Sequence, residues 1–90
     1  MDQMQIQPTE LRGTAEQFDL AKKDLAAILE RLDTATGSLE VKWSGASQQT
    51  FYKQYAELRQ YMEGFSLLLG QISLELNAMV DHFEELDSKQ

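Results

Sequence analysis

The sequence predicts an all-α protein built as an antiparallel hairpin of two long helices. Apolar residues recur every three or four positions through two long stretches of the chain. This is the period of a helix face, whereas a strand would alternate every two residues. The two stretches are also nearly mirror images about Gly45. A chain that folds back at this glycine would therefore bring its apolar positions together in pairs.

The first helix is predicted over about residues 8–40. Pro8 suits the first helical position, where its missing N–H group would have no partner, and Glu10 places a carboxylate at the positive end of the helix dipole. Gly37 permits an alternative in which the helix stops near this glycine, but Leu39 continues the apolar seam and favours the longer helix. The predicted seam consists of Leu11, Thr14, Phe18, Ala21, Leu25, Ile28, Leu32, Ala35 and Leu39.

The second helix is predicted over about residues 46–86, after a turn in which Gly45 takes a backbone conformation that is costly for other residues. At about 1.5 Å per residue this helix would be longer than the first and would overhang it. Mirror pairing places Ala21 opposite Leu69, so that small and large side chains interdigitate. The predicted seam consists of Phe51, Tyr55, Leu58, Met62, Phe65, Leu69, Ile72, Leu76, Met79, Phe83 and Leu86.

Apolar residues outside these seams are too many for a two-helix contact to bury. A stripe wider than one seam is typical of helices in four-helix bundles. We therefore expect two hairpins to pack face to face as a four-helix bundle dimer. The expected interface residues are Tyr61, Leu67, Leu68 and Leu74. Gly64 and Gly70 either allow a close approach between the hairpins or are tolerated surface glycines.

The composition limits the possible functions. The 90 residues form a single domain, 1–90, in which we expect residues 1–7 and 87–90 to be flexible. The net charge of −7 is shared by both halves of the chain and leaves no basic surface for nucleic acid or an anionic membrane. No run approaches the ~18 apolar residues of a membrane span, and we expect no cleaved signal peptide. The absence of cysteine excludes disulfides and thiolate metal sites.

No catalytic or cofactor-binding group of residues can be assembled from the sequence. His82 is the only histidine. With Asp81 and Glu85 it forms a poor metal-ligand set, because a catalytic site usually needs three convergent ligands and a pocket to hold them. The serines have no adjacent base to activate them. We therefore predict a protein that is not an enzyme and that binds no metal and no cofactor.

Trp43 lies beside the predicted turn, where we expect its ring to close the hairpin; the partly exposed, amphipathic ring is also suited to anchor another protein, and the two roles do not exclude each other. The central Trp43-Ser44-Gly45 turn, the opening Ile6-Gln-Pro-Thr-Glu-Leu-Arg12 and the flanking helices resemble the Trp-X-Gly family of small early-secreted-antigen-type proteins. The resemblance implies a helical hairpin that dimerises with itself or with a related chain. It also implies export of the folded protein from a bacterium by a type VII secretion system, whose motor is a membrane-bound ATPase.

The resemblance further implies an export signal near the C-terminus. The family carries Tyr-X-X-X-Asp or Glu there, acting together with the Trp-X-Gly turn of the partner chain. The counterpart here is Phe83-Glu-Glu-Leu-Asp87, with phenylalanine in place of tyrosine. The candidate site therefore consists of Trp43 and Gly45 from one chain and Phe83 and Asp87 from its partner. Such a dimer would serve as co-substrate or targeting partner for larger effectors; the alternative is a cytoplasmic adaptor or chaperone that is not exported.

Overall fold

The computed structural model of the chain describes residues 5–88, and the side chains of residues 5–86. Two α-helices, α1 (Pro8–Gly37) and α2 (Ala46–Ser88), follow one another along the chain and pack as an antiparallel hairpin. The hairpin measures 69 × 21 × 18 Å. No strand occurs in the described residues. The predicted all-α hairpin is confirmed.

Helix α1 begins at Pro8, as predicted. Gln7 has extended backbone and precedes the helix. The Glu10 carboxylate accepts a hydrogen bond from the Gln7 backbone N–H at 3.3 Å, and the Gln7 carbonyl accepts one from the Glu10 N–H at 2.9 Å. Glu10 therefore binds back to the start of the helix, which satisfies an N–H group that the helix itself leaves free.

Helix α1 ends at Gly37, and residues 38–42 form turns. The predicted end near residue 40 is wrong, and the alternative stop at Gly37 is right. The Ser38 hydroxyl donates a 2.8 Å hydrogen bond to the Ala35 carbonyl in the last turn, and such a local bond competes with continuation of a helix. The helical period of Leu39 did not decide the outcome, because Leu39 remains 36% exposed.

Gly45 forms the turn residue at which the chain enters α2. Its φ angle of 102° lies in the left-handed region, which is open to glycine and costly for residues with a Cβ atom. The Gly45 carbonyl accepts a 3.1 Å hydrogen bond from the Gln49 N–H and so begins the hydrogen-bond ladder of α2. The prediction for this turn is confirmed, and α2 continues to Ser88, two residues beyond the predicted end.

The predicted register between the helices is confirmed by side-chain contacts. Ala21 and Leu69, the predicted pair, line one shallow cavity. Lys22 lies against Gly70, and Tyr55 binds Asp33. Each of these contacts lies within one helical turn of the mirror pairing about Gly45.

The rotation of each helix about its axis differs from the prediction. In the structure the helices contact each other through a stripe of residues that differs from the predicted seam. At every second seam position the contact uses the next residue along the chain, for example Ala15 in place of Thr14. In α1 the buried and half-buried members are Leu11, Ala15, Phe18, Leu25, Leu29, Leu32 and Thr36. In α2 they are Tyr52, Tyr55, Arg59, Met62, Ser66, Leu69, Ser73, Leu76, Val80 and Phe83. The predicted seam positions Thr14, Ile28, Leu58, Phe65 and Met79 are exposed.

The cause of this difference is that each helix carries two adjacent apolar stripes. The stripe that turns inward contains small residues, Ala15 at 1% and Ser73 at 3% exposure, and small side chains let helices approach closely. Larger side chains such as Phe65, which is 55% exposed, remain outside. Periodicity identifies apolar stripes but does not rank them, so the sequence alone did not separate the two.

The end of α2 is less exposed than predicted. Phe83 was expected on an uncovered overhang, but it is half-buried. Leu86, one turn further, is 46% exposed. Met4, its predicted neighbour, lies outside the described residues.

Candidate protein-binding surfaces

The tip of the hairpin holds Trp43 in a defined position. The indole Nε1–H donates a 3.0 Å hydrogen bond to the Ser47 hydroxyl in the first turn of α2. The ring lies 5.4 Å from that of Phe51, centroid to centroid, and Phe51 stacks in turn on Tyr55. These contacts of Trp43 are all with α2 and fix the ring against the first turns of that helix; closure of the hairpin by a contact of Trp43 with α1 stays a prediction. Its ring is only half-buried, so one side remains available for contact with another molecule.

The other residues of the tip add apolar surface beside Trp43. Val41 is 88% exposed and Leu39 is 36% exposed, both within the turns that link the helices. The indole N–H is already bonded to Ser47, so the exposed part of the ring offers apolar surface. Such a mixture of an aromatic ring and aliphatic side chains is typical of residues that anchor protein–protein contacts.

A cluster that we call the tip clasp, Asp33, Tyr55 and Arg59, joins the end of α1 to α2. The Asp33 carboxylate accepts hydrogen bonds from the Tyr55 hydroxyl and from the Arg59 guanidinium, whose Nε lies at 2.8 Å. The Arg59 and then the Tyr55 hydrogen bonds lower the pKa of Asp33 to about 2. The same bond raises the pKa of Tyr55, because ionisation would remove the donated proton. The clasp fixes the position of α1 relative to α2 near the tip, about one helical turn from the Phe51 ring.

The opposite end of the hairpin is acidic and is held by Arg12. The guanidinium donates to Asn77 at 3.2 Å, to Asp81 at 2.7 Å and to Glu84 at 3.3 Å. Carboxylates near the C-terminus of a helix face the negative end of its dipole, and a cation from α1 offsets that repulsion. Arg12 therefore supports the part of α2 that carries Phe83.

The two halves of the predicted export site lie far apart in one chain. Trp43 is at the tip, whereas Phe83 is near the other end of α2, about 55 Å away along the helix at the usual rise per residue. Gly45 lies with Trp43 at the tip. The backbone of Asp87 is helical, but its side chain is outside the described set. Within one hairpin the structure does not bring these residues together.

The two sides of the hairpin differ in chemistry. One side, which we call the polar face, carries the contacts of Arg12 with Asn77 and Asp81 and of Lys22 with Gly70. The other side, which we call the apolar face, carries α2 side chains that recur every three or four residues and are mostly exposed. The α2 residues of the apolar face are Leu58, Tyr61, Phe65, Leu68, Ile72, Met79 and Leu86.

The four residues predicted for the dimer interface are divided between these sides. Tyr61 and Leu68, 78% and 52% exposed, lie on the apolar face. Leu67 and Leu74 instead line a groove with Gly70 on the polar face. The apolar face also includes large residues that the sequence reasoning had assigned to the contact inside the hairpin. The signal that could have found them is the second three-and-four spacing in α2.

The two glycines of α2 have different surroundings. A Cβ atom on Gly70 would come within 3.0 Å of the Lys22 Nζ atom, so this glycine makes room for a flexible side chain of the same hairpin. A Cβ atom on Gly64 would meet nothing within 4 Å. Gly64 is therefore a tolerated surface glycine in the isolated hairpin.

Two kinds of feature were sought in described residues 5–88, a metal-binding group and a membrane span, and neither is found there. No group of three His, Cys, Asp or Glu side chains in this part of the chain could hold a metal ion. His82 is exposed, with its ring 6.1 Å from that of Phe83. Across residues 5–88, neither helix combines the length and the hydropathy needed to cross a membrane.

Comparison with known proteins finds similar chains in several bacteria. A type VII secretion system extracellular protein A of Staphylococcus aureus is 27% identical over 89 residues, which cover 99% of this chain and 92% of that protein. A secreted protein EsxB of Bacillus anthracis superposes with a TM-score of 0.86 at 31% identity, covering 97% of this chain and 99% of that one. EsxA of Geobacillus thermodenitrificans superposes with a TM-score of 0.82 at 32% identity, covering 92% of both chains.

The family assignment follows from a match to nearly the whole sequence. The model of the WXG100 family, proteins of 100 residues with a Trp-X-Gly motif, matches residues 3–88. The motif falls on Trp43-Ser44-Gly45, where the structure places the ordered indole and the left-handed glycine. This chain belongs to the WXG100 family.

Proposed function

We propose that this protein is a non-enzymatic substrate of a type VII secretion system and that it is exported as a folded dimer. The observation that carries the proposal is the family match over residues 3–88, which includes the ordered Trp-X-Gly turn. The name of the Staphylococcus aureus relative, an extracellular protein of that secretion system, supports the same process. The exposed apolar face, together with the absence of a metal-binding cluster among the described residues, favours a role in binding.

The export signal is composite and needs two chains. Trp43 and Gly45 of one protomer form one half, and Phe83 and Asp87 of its partner form the other. The separation of Trp43 and Phe83 along a single hairpin supports this arrangement, because only a second, antiparallel hairpin could bring a tail close to a tip. The aromatic ring of Phe83 replaces the tyrosine of the family motif, and the carboxylate follows one turn later on the same helix face.

The partners are a second WXG100 chain and the membrane-bound ATPase of the secretion system. The dimer further accompanies larger effectors as co-substrate or targeting partner. The half-exposed Trp43 ring and the exposed Val41 side chain are the surfaces through which the tip would meet the ATPase. The protein then acts outside the cell that makes it.

The test is an export assay in a bacterium with an active type VII system. Trp43→Ala and Phe83→Ala are each expected to reduce the amount of protein in the medium at unchanged cellular amount. Lys42→Ala is the matched control at the tip and should be exported normally, because it changes an exposed side chain that belongs neither to the motif nor to the proposed contact. Phe83→Tyr, which restores the family tyrosine, should be exported at least as well as the natural chain.

Two outcomes would contradict parts of the proposal. Normal export of both alanine variants, with circular dichroism showing intact helices, would refute the composite signal. Retention of the natural chain inside cells whose system exports other substrates would refute secretion itself. That second result would favour the cytoplasmic adaptor, which uses the same apolar face to cover a helix of another protein.

A further inference from the structure

The polar face carries a groove between the two helices, away from both the tip and the apolar face. Leu67 and Leu74 are 65% and 72% exposed along it, and their seven-residue spacing places them on the same side of α2, about 10 Å apart. Single exposed leucines are ordinary on a protein surface, whereas two that flank one groove form an apolar wall. The residues that line the groove are Asp19 and Lys22 of α1 and Leu67, Gly70, Gln71 and Leu74 of α2.

Gly70 gives this groove its depth. A Cβ atom at this position would lie 3.0 Å from the Nζ atom of Lys22 and 3.7 Å from its Cδ atom. Glycine weakens the interior of a helix relative to alanine, and here the missing side chain leaves the space in which the Lys22 side chain lies. The Lys22 ammonium group is therefore held over α2, level with the middle of the apolar wall.

The two charged residues of the groove have no ion-pair partner among the side chains of residues 5–86. The arginines that join the helices, Arg12 and Arg59, each bind two carboxylates of their own chain. Lys22 and Asp19 take part in no ion pair within that part of the chain. An unpaired ammonium group and an unpaired carboxylate beside apolar surface fit a partner that supplies the opposite charges.

The shape and the charges of the groove together fit an α-helix. An amphipathic helix lies in a groove of this kind with its apolar side chains against the wall. The wall spans two helical turns, the distance between positions i and i+7 of a helix parallel to α2. Lys22 lies midway along the wall, where a carboxylate at i+4 would meet it. Asp19 lies about one turn away toward Leu74, because α1 is antiparallel to α2, and a basic side chain at i+8 would meet it there.

We propose that this groove binds an amphipathic helix of another protein, with apolar residues at i and i+7, an acidic residue at i+4 and a basic residue at i+8. These four positions share one helix face. No stretch of this chain has the pattern, which favours a different protein over a second copy. The groove and the apolar face lie on different sides of the hairpin, so that both can be occupied at once. The inference goes beyond the proposed function and does not depend on export.

The test uses a synthetic, alanine-rich peptide of about 20 residues, long enough to be helical in water, that carries Leu-X-X-X-Glu-X-X-Leu-Lys. It is added to the natural chain while the leucine methyl signals are followed by NMR. We expect the signals of Leu67 and Leu74 to shift, whereas those of Leu68, the next residue in the chain but on the apolar face, should not. Larger shifts at Leu68, or no shift at about 1 mM peptide, would overturn the proposal.

Charge exchange tests the role of Lys22. Lys22→Glu should weaken peptide binding at least about tenfold, because it sets two carboxylates against each other. Lys23→Glu is the matched control. It makes the same change in net charge at an adjacent exposed lysine that does not line the groove, and should weaken binding by no more than about threefold at physiological salt. Equal losses from both variants would reduce the interaction to attraction by net charge and contradict the proposed groove contact.

A second peptide, with lysine in place of its glutamate, completes the exchange. It should bind Lys22→Glu at least about tenfold more tightly than it binds the natural chain. Preference of this peptide for the natural chain would mean that Lys22 does not meet position i+4.

Leu74→Ala tests the apolar wall and should weaken binding of the first peptide by about fivefold. Leu20→Ala, at a leucine of α1 that is 49% exposed outside the groove, should leave binding unchanged, and circular dichroism confirms that each variant is folded. If light scattering without peptide showed that Leu74→Ala lowers the mass of the natural assembly, a second copy would occupy the groove and the proposal would be wrong. The peptide measurements need no secretion system, so their failure and the failure of export are separate results.

Discussion

Replacing Gly45 by alanine changes the backbone energy of the turn without crowding any side chain. A Cβ atom at Gly45 would meet nothing within 4 Å, yet the φ angle is +102°. The left-handed region costs a residue with a Cβ atom roughly 1–2 kcal/mol. Alanine also restricts the unfolded chain, which offsets roughly 0.4–1 kcal/mol of that cost. The net expectation is a loss of about 1 kcal/mol in the free energy of unfolding.

Gly64 is the matched control for this prediction. It also has open space around the position of a Cβ atom, but it lies inside α2 with a negative φ angle. Gly64→Ala should therefore stabilise the protein by about 1 kcal/mol through helix propensity alone. The same chemical change thus has opposite signs at two glycines with equally free surroundings.

The assay is thermal unfolding followed by helical circular dichroism at one fixed protein concentration, since dimerisation would make the apparent stability depend on concentration. The two variants should differ in melting temperature by at least about 8 °C, given that about 1 kcal/mol shifts a domain of this size by about 4–8 °C. If Gly45→Ala were as stable as Gly64→Ala, the turn would not depend on the left-handed glycine, and the explanation of the Trp-X-Gly glycine would be wrong.

Two further predictions concern the contacts inside the hairpin. The folded state lowers the pKa of Asp33 from 3.8 to about 2. Between these two pH values the unfolded chain binds more protons than the folded chain. The stabilisation from Asp33 is therefore full above the ordinary pKa and is lost as the pH falls toward 2. The difference in free energy of unfolding between the natural chain and Asp33→Asn should accordingly shrink as the pH falls through this interval. Tyr55→Phe should weaken the pH dependence without abolishing it. If the difference between the natural chain and Asp33→Asn stayed constant with pH, the tip clasp would not form in solution. Val80→Ala removes two methyl groups from a side chain with 0% exposure and should cost about 2 kcal/mol in urea unfolding. Met79→Ala at the adjacent exposed position should not lower the stability of the hairpin itself, and equal losses from both changes under conditions where the protein is monomeric would contradict the observed rotation of α2.

The helices and the turn could be predicted because local chemistry decides them. Pro8 and Glu10 mark a helix start, and glycine at 45 is the residue that tolerates a left-handed backbone. The register followed as well, since a turn at Gly45 leaves little freedom in how Ala21 and Leu69 meet. The end of α1 was placed too late, because the apolar period of Leu39 was given more weight than the stop at Gly37, after which Ser38 bonds back to Ala35.

The candidate site was only partly accessible from the sequence. Trp43 and Gly45 were identified because a tryptophan and a glycine at the centre of a symmetric pattern are conspicuous. The tip clasp was missed, since Asp33 and Arg59 are ordinary charged residues until the fold brings them together. The predicted interface joined Tyr61 and Leu68 with Leu67 and Leu74, although the two pairs lie on different sides of α2.

The amino-acid sequence by itself determined that this chain is a two-helix hairpin, where it turns, and which residues lie level with one another. These properties depend on backbone preferences and on the apolar period, both of which are local. Only the tertiary structure decided which apolar stripe of each helix faces the other and which remains for a partner. Each helix offers two stripes of similar hydropathy, and the choice depends on close packing around small residues such as Ala15 and Ser73, which forms only when both helices are in place.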